Sequence, residues 1–355
     1  MQQLTEDIVS IVSDYHNYNK FQFTPERVLS WVSQFDEADQ KFLLEELLHL
    51  LRQGIYISEA NARLLLLRRI EQLSKIYKFD SPISFLENVE FLELQPKGKS
   101  QDILLGILKD EVFIKYNFRW EQCGVKSKKY CIYIDDILAT GGTVLKDCKG
   151  WLEAKESNDD ETNLTKVANR DKILIISLFC KHNWANVEWK LKVAFNNDEL
   201  IKRIEIHNDY EIQNHPKFVN QKFNLAYPLN ENSPVVLAYL QNLQANNYEN
   251  MAFRKNGEPK VEKLFSSPEN RNRFESIIIH KGIQLLGKAA TLKPNHRPLG
   301  ATFPSYKTLG TGTLFFTWRN VSNTSPVVFW WDAGGWFPLF PLYKRGEVGN
   351  ITIGV

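Results

Sequence analysis

Two apolar segments of the chain, residues 130–134 and 173–179, constrain its fold more than any other feature. Strands that are apolar at every position have both faces buried, as in parallel sheets that are covered by helices. Weaker strand candidates at residues 89–94 and 201–206 flank these segments, and helical patterns separate the strands along the chain. This alternation predicts an α/β fold with a parallel sheet.

The sequence on either side of the predicted sheet has a different character. Residues 1–80 contain very little glycine or proline and carry apolar residues at helical spacing, so we predict an N-terminal helical region. Residues 81–230 are predicted to form the α/β core. Residues 231–355 contain a helical pattern at 268–287 and then a loop-rich, aromatic segment. We predict that this part completes the core as a C-terminal helix and an aromatic hood.

Several helix starts are marked by capping residues. Thr5, Thr24 and Ser58 each precede an apolar helical pattern, and Pro25 occupies the first helical position after Thr24. Hydroxyl side chains at such positions accept hydrogen bonds from the exposed N–H groups of the first turn, and proline loses nothing there. We therefore predict helices that begin directly after these residues.

Composition excludes some classes of function. The 44 basic and 42 acidic residues of this 355-residue chain give a formal net charge of +2, so bulk charge does not indicate a nucleic-acid or lipid partner. The four cysteines include no Cys-x-x-Cys pair, which excludes the common zinc frameworks. The aromatic stretch at 326–343 contains three prolines and is not expected to span a membrane. We expect a soluble cytoplasmic protein with no membrane partner.

The chemistry-bearing motif is residues 131–143, Cys-Ile-Tyr-Ile-Asp-Asp-Ile-Leu-Ala-Thr-Gly-Gly-Thr. A predicted buried strand ends there in Asp135 and Asp136, at the sheet edge where α/β proteins bind ligands. Residues 140–143 then open a helix with two glycines and two hydroxyls, and the N–H groups of a helix start favour a phosphate. Carboxylates beside a phosphate cradle indicate a phosphorylated ribose. The alternative interpretation is a strand that ends in a solvated turn.

This motif resembles that of the type I phosphoribosyltransferases, and its form is most similar to the adenine phosphoribosyltransferase version. The resemblance implies a type I phosphoribosyltransferase-like parallel sheet core that binds phosphoribosyl pyrophosphate, with Mg²⁺ on the pyrophosphate. The resemblance implies that Asp135 and Asp136 bind the ribose hydroxyls, are the catalytic residues and hold the metal. It also implies that the 5′-phosphate is bound by Ala139, Thr140, Gly141, Gly142 and Thr143. Hypoxanthine-type enzymes place a general base, an aspartate, where this chain has Ala139, so any base must come from elsewhere.

Two further segments are candidate ligand contacts. The family's pyrophosphate loop has its best candidate in Lys97, Gly98 and Lys99, which could bind an anion by charge and by backbone N–H groups, although a basic surface turn is the alternative. Arg319 and Asn320 lie between an apolar segment and a polar turn. They could contact a phosphate or a base, or they could simply stabilise that turn.

The C-terminal segments 315–331 and 336–341 resemble those of PRTase-CE proteins, the phosphoribosyltransferase-like effectors of bacterial conflict systems. Some members of that family are encoded beside retron reverse transcriptases. The resemblance implies an antiphage defence effector whose toxicity is released by a phage cue. It makes a retron reverse transcriptase, with its RNA–DNA product, a candidate partner, and an oligomer is a further expectation.

Two hypotheses of function follow from the motif and its resemblance. The first is an enzyme that binds phosphoribosyl pyrophosphate or a nucleotide and acts at the anomeric carbon of the ribose. The alternative is a non-catalytic module that senses nucleotides, or that serves assembly, in a retron-type defence complex.

Overall fold

A computed structural model describes residues 1–17, 21–156, 160–212, 224–243, 252–302 and 308–342. The chain divides into two compact units, one formed by Met1–Tyr56 together with Asn214–Val355 and the other by Ile57–Gln213. The boundaries that we placed after residues 80 and 230 remain predictions of domain organisation. Parts of the predicted C-terminal region, at 244–251, 303–307 and 343–355, lie outside the described residues.

Helices precede, separate and follow the strands of the larger sheet. The helices are α1 (Gln2–Val12), α2 (Pro25–Val32), α3 (Glu37–Leu50), α4 (Glu59–Ile76), α5 (Pro82–Leu86), α6 (Ser100–Tyr116), α7 (Gly142–Glu153), α8 (Asn163–Asn169), α9 (Trp184–Phe195), α10 (Asp198–Ile201), α11 (Pro234–Asn242), α12 (Pro268–Gly287) and α13 (Val327–Trp330). The strands are β1 (Tyr56–Ile57), β2 (Val89–Phe91), β3 (Tyr130–Leu138), β4 (Ile173–Lys181), β5 (Ile204–Glu211), β6 (Phe316–Thr317) and β7 (Asn320–Val321). A π-helical turn, Leu51–Ile55, follows α3, and a short 3₁₀ turn spans Trp120–Gln122.

The second unit contains a parallel sheet in the order β2-β3-β4-β5. The central strands β3 and β4 are buried along most of their length, as their continuous apolar segments require. One face of this pair, which includes Cys131 and Tyr133, packs against α7 and α9. Helices α6 and α4 contact β3 and β4. The predicted α/β fold with a parallel sheet is confirmed.

Most of the predicted helix starts are confirmed by their hydrogen bonds. The side chains of Thr24 and Ser58 accept hydrogen bonds from backbone N–H groups in the first turns of α2 and α4. Thr5 was predicted wrongly, because α1 begins at Gln2 and the Thr5 hydroxyl donates to the Gln2 carbonyl from inside the helix. An internal threonine can satisfy its hydroxyl on the preceding turn, so its presence alone does not mark a helix start.

Strand β3 is longer than its apolar segment predicts. It continues to Leu138, so Asp135 and Asp136 lie within the strand and do not follow its end. The strand continues through this polar part because it still pairs with β4, where Asp135 and Ile137 are in register with Leu178 and Cys180. The last residues of β3 therefore bring two carboxylates to the carboxyl edge of the sheet.

The first unit is built on helices and on aromatic side chains. Trp330, Trp331 and Trp336 are buried, and the indole N–H groups of Trp330 and Trp336 donate to the backbone carbonyls of Ser325 and Val328. These tryptophans are therefore part of the core, which is the usual role of such a cluster. Among the described residues, the helices are too short or too polar to cross a bilayer.

Candidate functional site

The predicted site residues of the β3 motif lie at one edge of the parallel sheet. Strand β3 delivers Asp135 and Asp136 there, and the turn that follows leads directly into α7. The neighbouring strand β2 ends at the same edge and is followed by the loop that contains Lys97 and Lys99. The sequence-predicted carboxylates, phosphate turn and pyrophosphate loop are thus all found in the second unit.

Asp135 is enclosed by protein, with 4% of its surface exposed. Its Oδ1 accepts hydrogen bonds from Ser100 Oγ at 2.5 Å and from the Asp136 backbone N–H at 2.9 Å. Its Oδ2 accepts from Gln95 Nε2 at 3.1 Å and lies 3.2 Å from the Tyr133 hydroxyl. Burial, reinforced by the charge of Asp136, raises the pKa of Asp135 to about 7. Both carboxyl oxygens of Asp135 therefore accept hydrogen bonds from neighbouring groups of the protein.

The Tyr133 hydroxyl joins this carboxyl to its surroundings. It accepts a hydrogen bond from Gln95 Nε2 at 2.7 Å and lies 2.9 Å from Oδ2 of Asp147 on α7. Burial is the largest cause that raises the pKa of Tyr133, so the phenol keeps its proton. One buried hydroxyl consequently contacts groups from the loop after β2, from β3 and from α7.

Asp136 differs from its neighbour in exposure. It is half-buried, and its Oδ1 accepts a hydrogen bond from the Ile137 backbone N–H at 2.8 Å. Asp136 is less enclosed than Asp135, although the two side chains lie close enough for Asp136 to raise the pKa of its neighbour. Of the two acids, Asp136 is the one that solvent, and hence a ligand, can reach.

The glycine turn is the start of α7. Gly141 adopts a φ of 78°, which favours glycine, and Gly142 and Thr143 form an exposed first turn. No side chain among the described residues caps this helix start. Its N–H groups, together with the positive end of the helix dipole, are therefore placed to bind an anion.

Helix α9 fixes the backbone of this turn. Asn183 Nδ2 donates to the Ala139 carbonyl at 2.8 Å, and Asn186 Nδ2 lies 3.4 Å from the Thr140 carbonyl. A Cβ built on Gly141 would lie 2.3 Å from Val187 Cγ2, which is closer than any side chain permits. The turn is thus held by two amides and by direct packing on α9.

The predicted pyrophosphate loop is also ordered by local hydrogen bonds. Lys97 is exposed, Lys99 is half-buried, and Gly98 adopts a φ of 77° while its N–H donates to Oδ2 of Asp102. Gln101 is buried, and its Oε1 accepts hydrogen bonds from the backbone N–H groups of Leu94 and Gln95, at 2.6 and 2.9 Å. A cleft of about 290 Å³ lies beside the loop, lined by Glu93, Gln95, Lys97, Gln101, Asp102, Leu105, Gly106, Lys109 and Trp120.

Arg319 and Asn320 belong to the first unit. Asn320 stabilises the turn between β6 and β7, because its Oδ1 accepts from the Val321 N–H at 3.0 Å and its own N–H donates to Thr317 Oγ1. Arg319 is buried. These contacts match the turn alternative, and a ligand-binding role for either residue remains a prediction.

Sequence reasoning missed the polar residues that support the site. Tyr133 had a recognisable signal, since residues two apart on a strand share a face and it precedes Asp135 by two. Asn183 and Asn186 follow β4 at the same edge of the sheet, where ligand-binding side chains collect. Gln95 and Ser100 had no signal, because their contacts with Asp135 depend on how the loop folds back on β3.

The donor set at this edge can be compared with what Mg²⁺ requires. In phosphate-binding enzymes Mg²⁺ is usually held by one or two carboxylates together with substrate phosphates. The half-buried Asp136 fits that pattern, whereas the oxygens of Asp135 already accept hydrogen bonds from protein groups. The described part of the chain contains no group of three or more His, Cys, Asp or Glu side chains that could hold a metal by itself. A metal here would therefore need the ligand's phosphates.

One of three comparisons with known proteins found a match. No curated protein and no solved structure matches the chain. A family model described as PRTase-CE matches residues 28–342, a span that includes the sheet, the glycine turn and the aromatic core of the first unit. The chain therefore belongs to the PRTase-CE family, and membership indicates a phosphoribosyltransferase-like effector.

Proposed function

We propose that the protein binds phosphoribosyl pyrophosphate, or a nucleotide of similar shape, at the carboxyl edge of its parallel sheet and acts at the anomeric carbon of the ribose. The observation that carries this proposal is the uncapped start of α7, with Gly142 and Thr143 exposed, a few residues after the accessible Asp136. Such a helix start supports a bound dianion, and a neighbouring carboxylate supports a bound sugar hydroxyl.

Each part of the ligand has a proposed contact. The 5′-phosphate would bind the N–H groups of residues 140–143, and the ribose hydroxyls would donate to Asp136. The pyrophosphate would bind the loop of Lys97, Gly98 and Lys99, whose lysines supply positive charge at the end of the neighbouring strand. These contacts would hold the anomeric carbon between two anion-binding loops.

The proposed reaction breaks the bond between the anomeric carbon and the pyrophosphate oxygen, and the electron pair leaves with the pyrophosphate. A nucleophile, either a base nitrogen or water, forms the new bond to the same carbon and releases its proton to solvent or to the departing pyrophosphate. The electron-poor sugar that develops in between would be stabilised by the negative charge of Asp136. Mg²⁺, when bound with the pyrophosphate, would neutralise the charge of the leaving group.

In the cell, this activity would make the protein a toxic effector of antiphage defence that depletes phosphoribosyl pyrophosphate or a nucleotide. Family membership supports the effector role. A retron reverse transcriptase with its RNA–DNA product is the proposed controlling partner. Copurification of the tagged protein from its native operon tests this, and recovery of the protein without any operon-encoded partner would argue against it.

The phosphate turn can be tested without harming the fold. Replacing Thr143 by Glu puts a carboxylate at a helix start, where it favours the dipole but repels a phosphate. We expect Thr143→Glu to keep the melting temperature and to weaken phosphoribosyl pyrophosphate binding, measured by calorimetry with Mg²⁺, by about a hundredfold. Thr143→Gln is the matched neutral control and should bind within about threefold of the unmodified protein. Equal affinities for both variants would remove the turn from the site.

The carboxylate needs its own test. Asp136→Asn removes the charge at nearly constant volume, and we expect it to lower turnover of phosphoribosyl pyrophosphate, followed by ³¹P NMR, by about a hundredfold or more. Asp110→Asn changes an exposed acid on α6 and is the control. Undiminished turnover in Asp136→Asn would exclude the proposed role.

A second candidate function is a sensor that binds the ligand without turnover. The observation that favours it is Asp135, whose oxygens already accept hydrogen bonds from protein groups, so that a second carboxylate is not presented to the sugar. Calorimetry combined with mass spectrometry of the recovered ligand separates the two functions. Tight binding with recovery of intact ligand would favour the sensor, and formation of pyrophosphate would favour the enzyme.

A further inference from the structure

The two candidate anion-binding loops are connected by a buried polar network, which we call the loop–helix network and define as Gln95, Ser100, Tyr133, Asp135 and Asp147. Gln95 and Ser100 flank the pyrophosphate loop on its two sides, while Asp147 lies on α7, which begins with the phosphate turn. Between them stand Tyr133 and Asp135 on one face of β3. The network therefore runs from one loop, through the strand, to the helix that starts at the other loop.

Neighbouring polar atoms of the network lie within hydrogen-bonding distance of one another. Ser100 donates to Asp135 at 2.5 Å, Gln95 donates to both Asp135 and the Tyr133 hydroxyl, and that hydroxyl lies 2.9 Å from Asp147. Tyr133 and Asp135 are almost fully buried. Hydrogen bonds in such surroundings are costly to break, because the groups left behind cannot turn to water.

Tyr133 is the residue on which the connection depends. Its single hydroxyl hydrogen can serve only one carboxylate at a time, yet Oδ2 of Asp135 and Oδ2 of Asp147 lie 3.2 and 2.9 Å away. Its lone pairs are available to Gln95, which approaches to 2.7 Å. Removing this one oxygen disconnects the loop side from the helix side and leaves the aromatic ring in the core.

We propose that Tyr133 and Asp135 are positioning residues that hold the pyrophosphate loop in register with the phosphate turn, and that Asp136 alone is the carboxylate that meets the sugar. This inference rests on the proposed function for the identity of the ligand. It differs from the role expected for the acidic pair, in which both carboxylates bind the ribose, because Asp135 is enclosed by protein with 4% of its surface exposed, whereas Asp136 is half-buried.

The proposal makes a distinction between ligands of different reach. Phosphoribosyl pyrophosphate must contact both loops at once, whereas ribose 5-phosphate carries only the phosphate that binds the turn. Loss of register between the loops therefore weakens the long ligand and spares the short one. General damage to the fold would weaken both equally.

The test compares Tyr133→Phe with Tyr130→Phe, a control on the same strand whose half-buried ring packs against Tyr77 outside the network. For Tyr133→Phe we expect an affinity for phosphoribosyl pyrophosphate with Mg²⁺ that is lower by about tenfold, with the affinity for ribose 5-phosphate within about twofold. Tyr130→Phe should change neither. Equal losses for the two ligands, or no loss for either, would overturn the positioning role.

A second measurement needs no ligand and keeps this inference separate from the proposed function. We expect hydrogen exchange of Tyr133→Phe to rise by about fivefold or more at residues 95–101 and at the first turns of α7, relative to Tyr130→Phe. Unchanged exchange in either segment contradicts the network even if the ligand binds. If neither ligand binds the unmodified protein, the proposed function fails, and the exchange result alone decides whether the two loops are connected.

Discussion

The loop after β2 and the turn after β3 lie at the same edge of the sheet, and each bends at a glycine in the left-handed region. The φ angles of Gly98 and Gly141 are 77° and 78°. A Cβ built on Gly98 would meet no described atom within 4 Å, whereas one built on Gly141 would lie 2.3 Å from Val187 Cγ2. The two glycines share nearly the same φ angle but have different surroundings.

The comparison shows two ways in which a loop at the edge of a sheet is fixed. The turn after β3 is fixed by packing on α9, so its shape is set by the positions of whole elements. The loop after β2 is fixed by backbone N–H groups that donate to the side chains of Gln101 and Asp102, and Ser100 donates to Asp135 at the end of the loop. Loops fixed by side chains can be altered one bond at a time, whereas a packed turn yields only when its neighbours move.

The largest effect is expected at Gly141. Gly141→Ala combines the strain of a positive φ with overlap against Val187, and we expect it to lower the free energy of unfolding by about 3 kcal/mol or more. Urea unfolding followed by circular dichroism measures this. Gly142→Ala is the matched control, because its built Cβ comes no closer to a neighbour than Thr140 Oγ1 at 4.0 Å. Similar stabilities for the two variants would mean that the turn is not packed as described.

The next effect is expected at Gln101, which orders the loop after β2. Gln101→Leu preserves the buried volume but leaves the N–H groups of Leu94 and Gln95 without their acceptor. We expect a loss of about 2 kcal/mol in the free energy of unfolding, since each buried unpaired N–H is costly. Hydrogen exchange at those two amides is the direct measurement. Slow exchange in the variant would contradict the assigned role.

A pH-dependent effect on stability is expected through Asp135. Its pKa in the folded protein is about 7, above the ordinary value near 4, so between these limits the folded protein retains a proton that the unfolded chain releases. The stability that this carboxyl contributes is fully present below pH 4 and is lost as the pH rises to 7. Relative to Asp135→Asn, which cannot ionise, the protein should become progressively less stable over that range. Parallel urea titrations of both proteins measure the difference, and a constant difference from pH 4 to 7 would show that the raised pKa is absent.

The smallest effect is expected at Gly98. Gly98→Ala meets no neighbour, so the variant bears only the strain of its φ, about 1 kcal/mol. The same unfolding measurement applies. A cost as large as that of Gly141→Ala would mean that the loop after β2 is also packed, and the contrast between the two loops would disappear.

The sequence predicts the parts of this molecule that depend on local pattern. The apolar residues of β3 and β4 predict a parallel sheet because burial on both faces requires them, and Thr24 and Ser58 predict helix starts because a cap acts within one turn. Gly141 was assigned to the phosphate turn from the motif and its resemblance, and its φ of 78° is a conformation that glycine adopts readily.

What the sequence could not predict depends on contacts between distant segments. The sequence around Asp135 predicts a ligand-binding acid. In the structure, the loop after β2 folds back on β3, and Ser100 and Gln95 donate hydrogen bonds to the oxygens of Asp135. Asn183 supports the Ala139 carbonyl from another strand connection, and nothing near either residue encodes that pairing. The sequence therefore does not distinguish an exposed carboxylate from an enclosed one, because the difference depends on neighbours from distant segments.

The bare beginning of α7 has a consequence for handling the protein. No described side chain caps the first N–H groups of this helix, so a small oxyanion in the buffer can bind there. Sulfate or phosphate should then raise the melting temperature in a saturable manner, independent of ionic strength. Preparations kept in such salts would carry a weak competitor at the proposed binding position of the sugar phosphate.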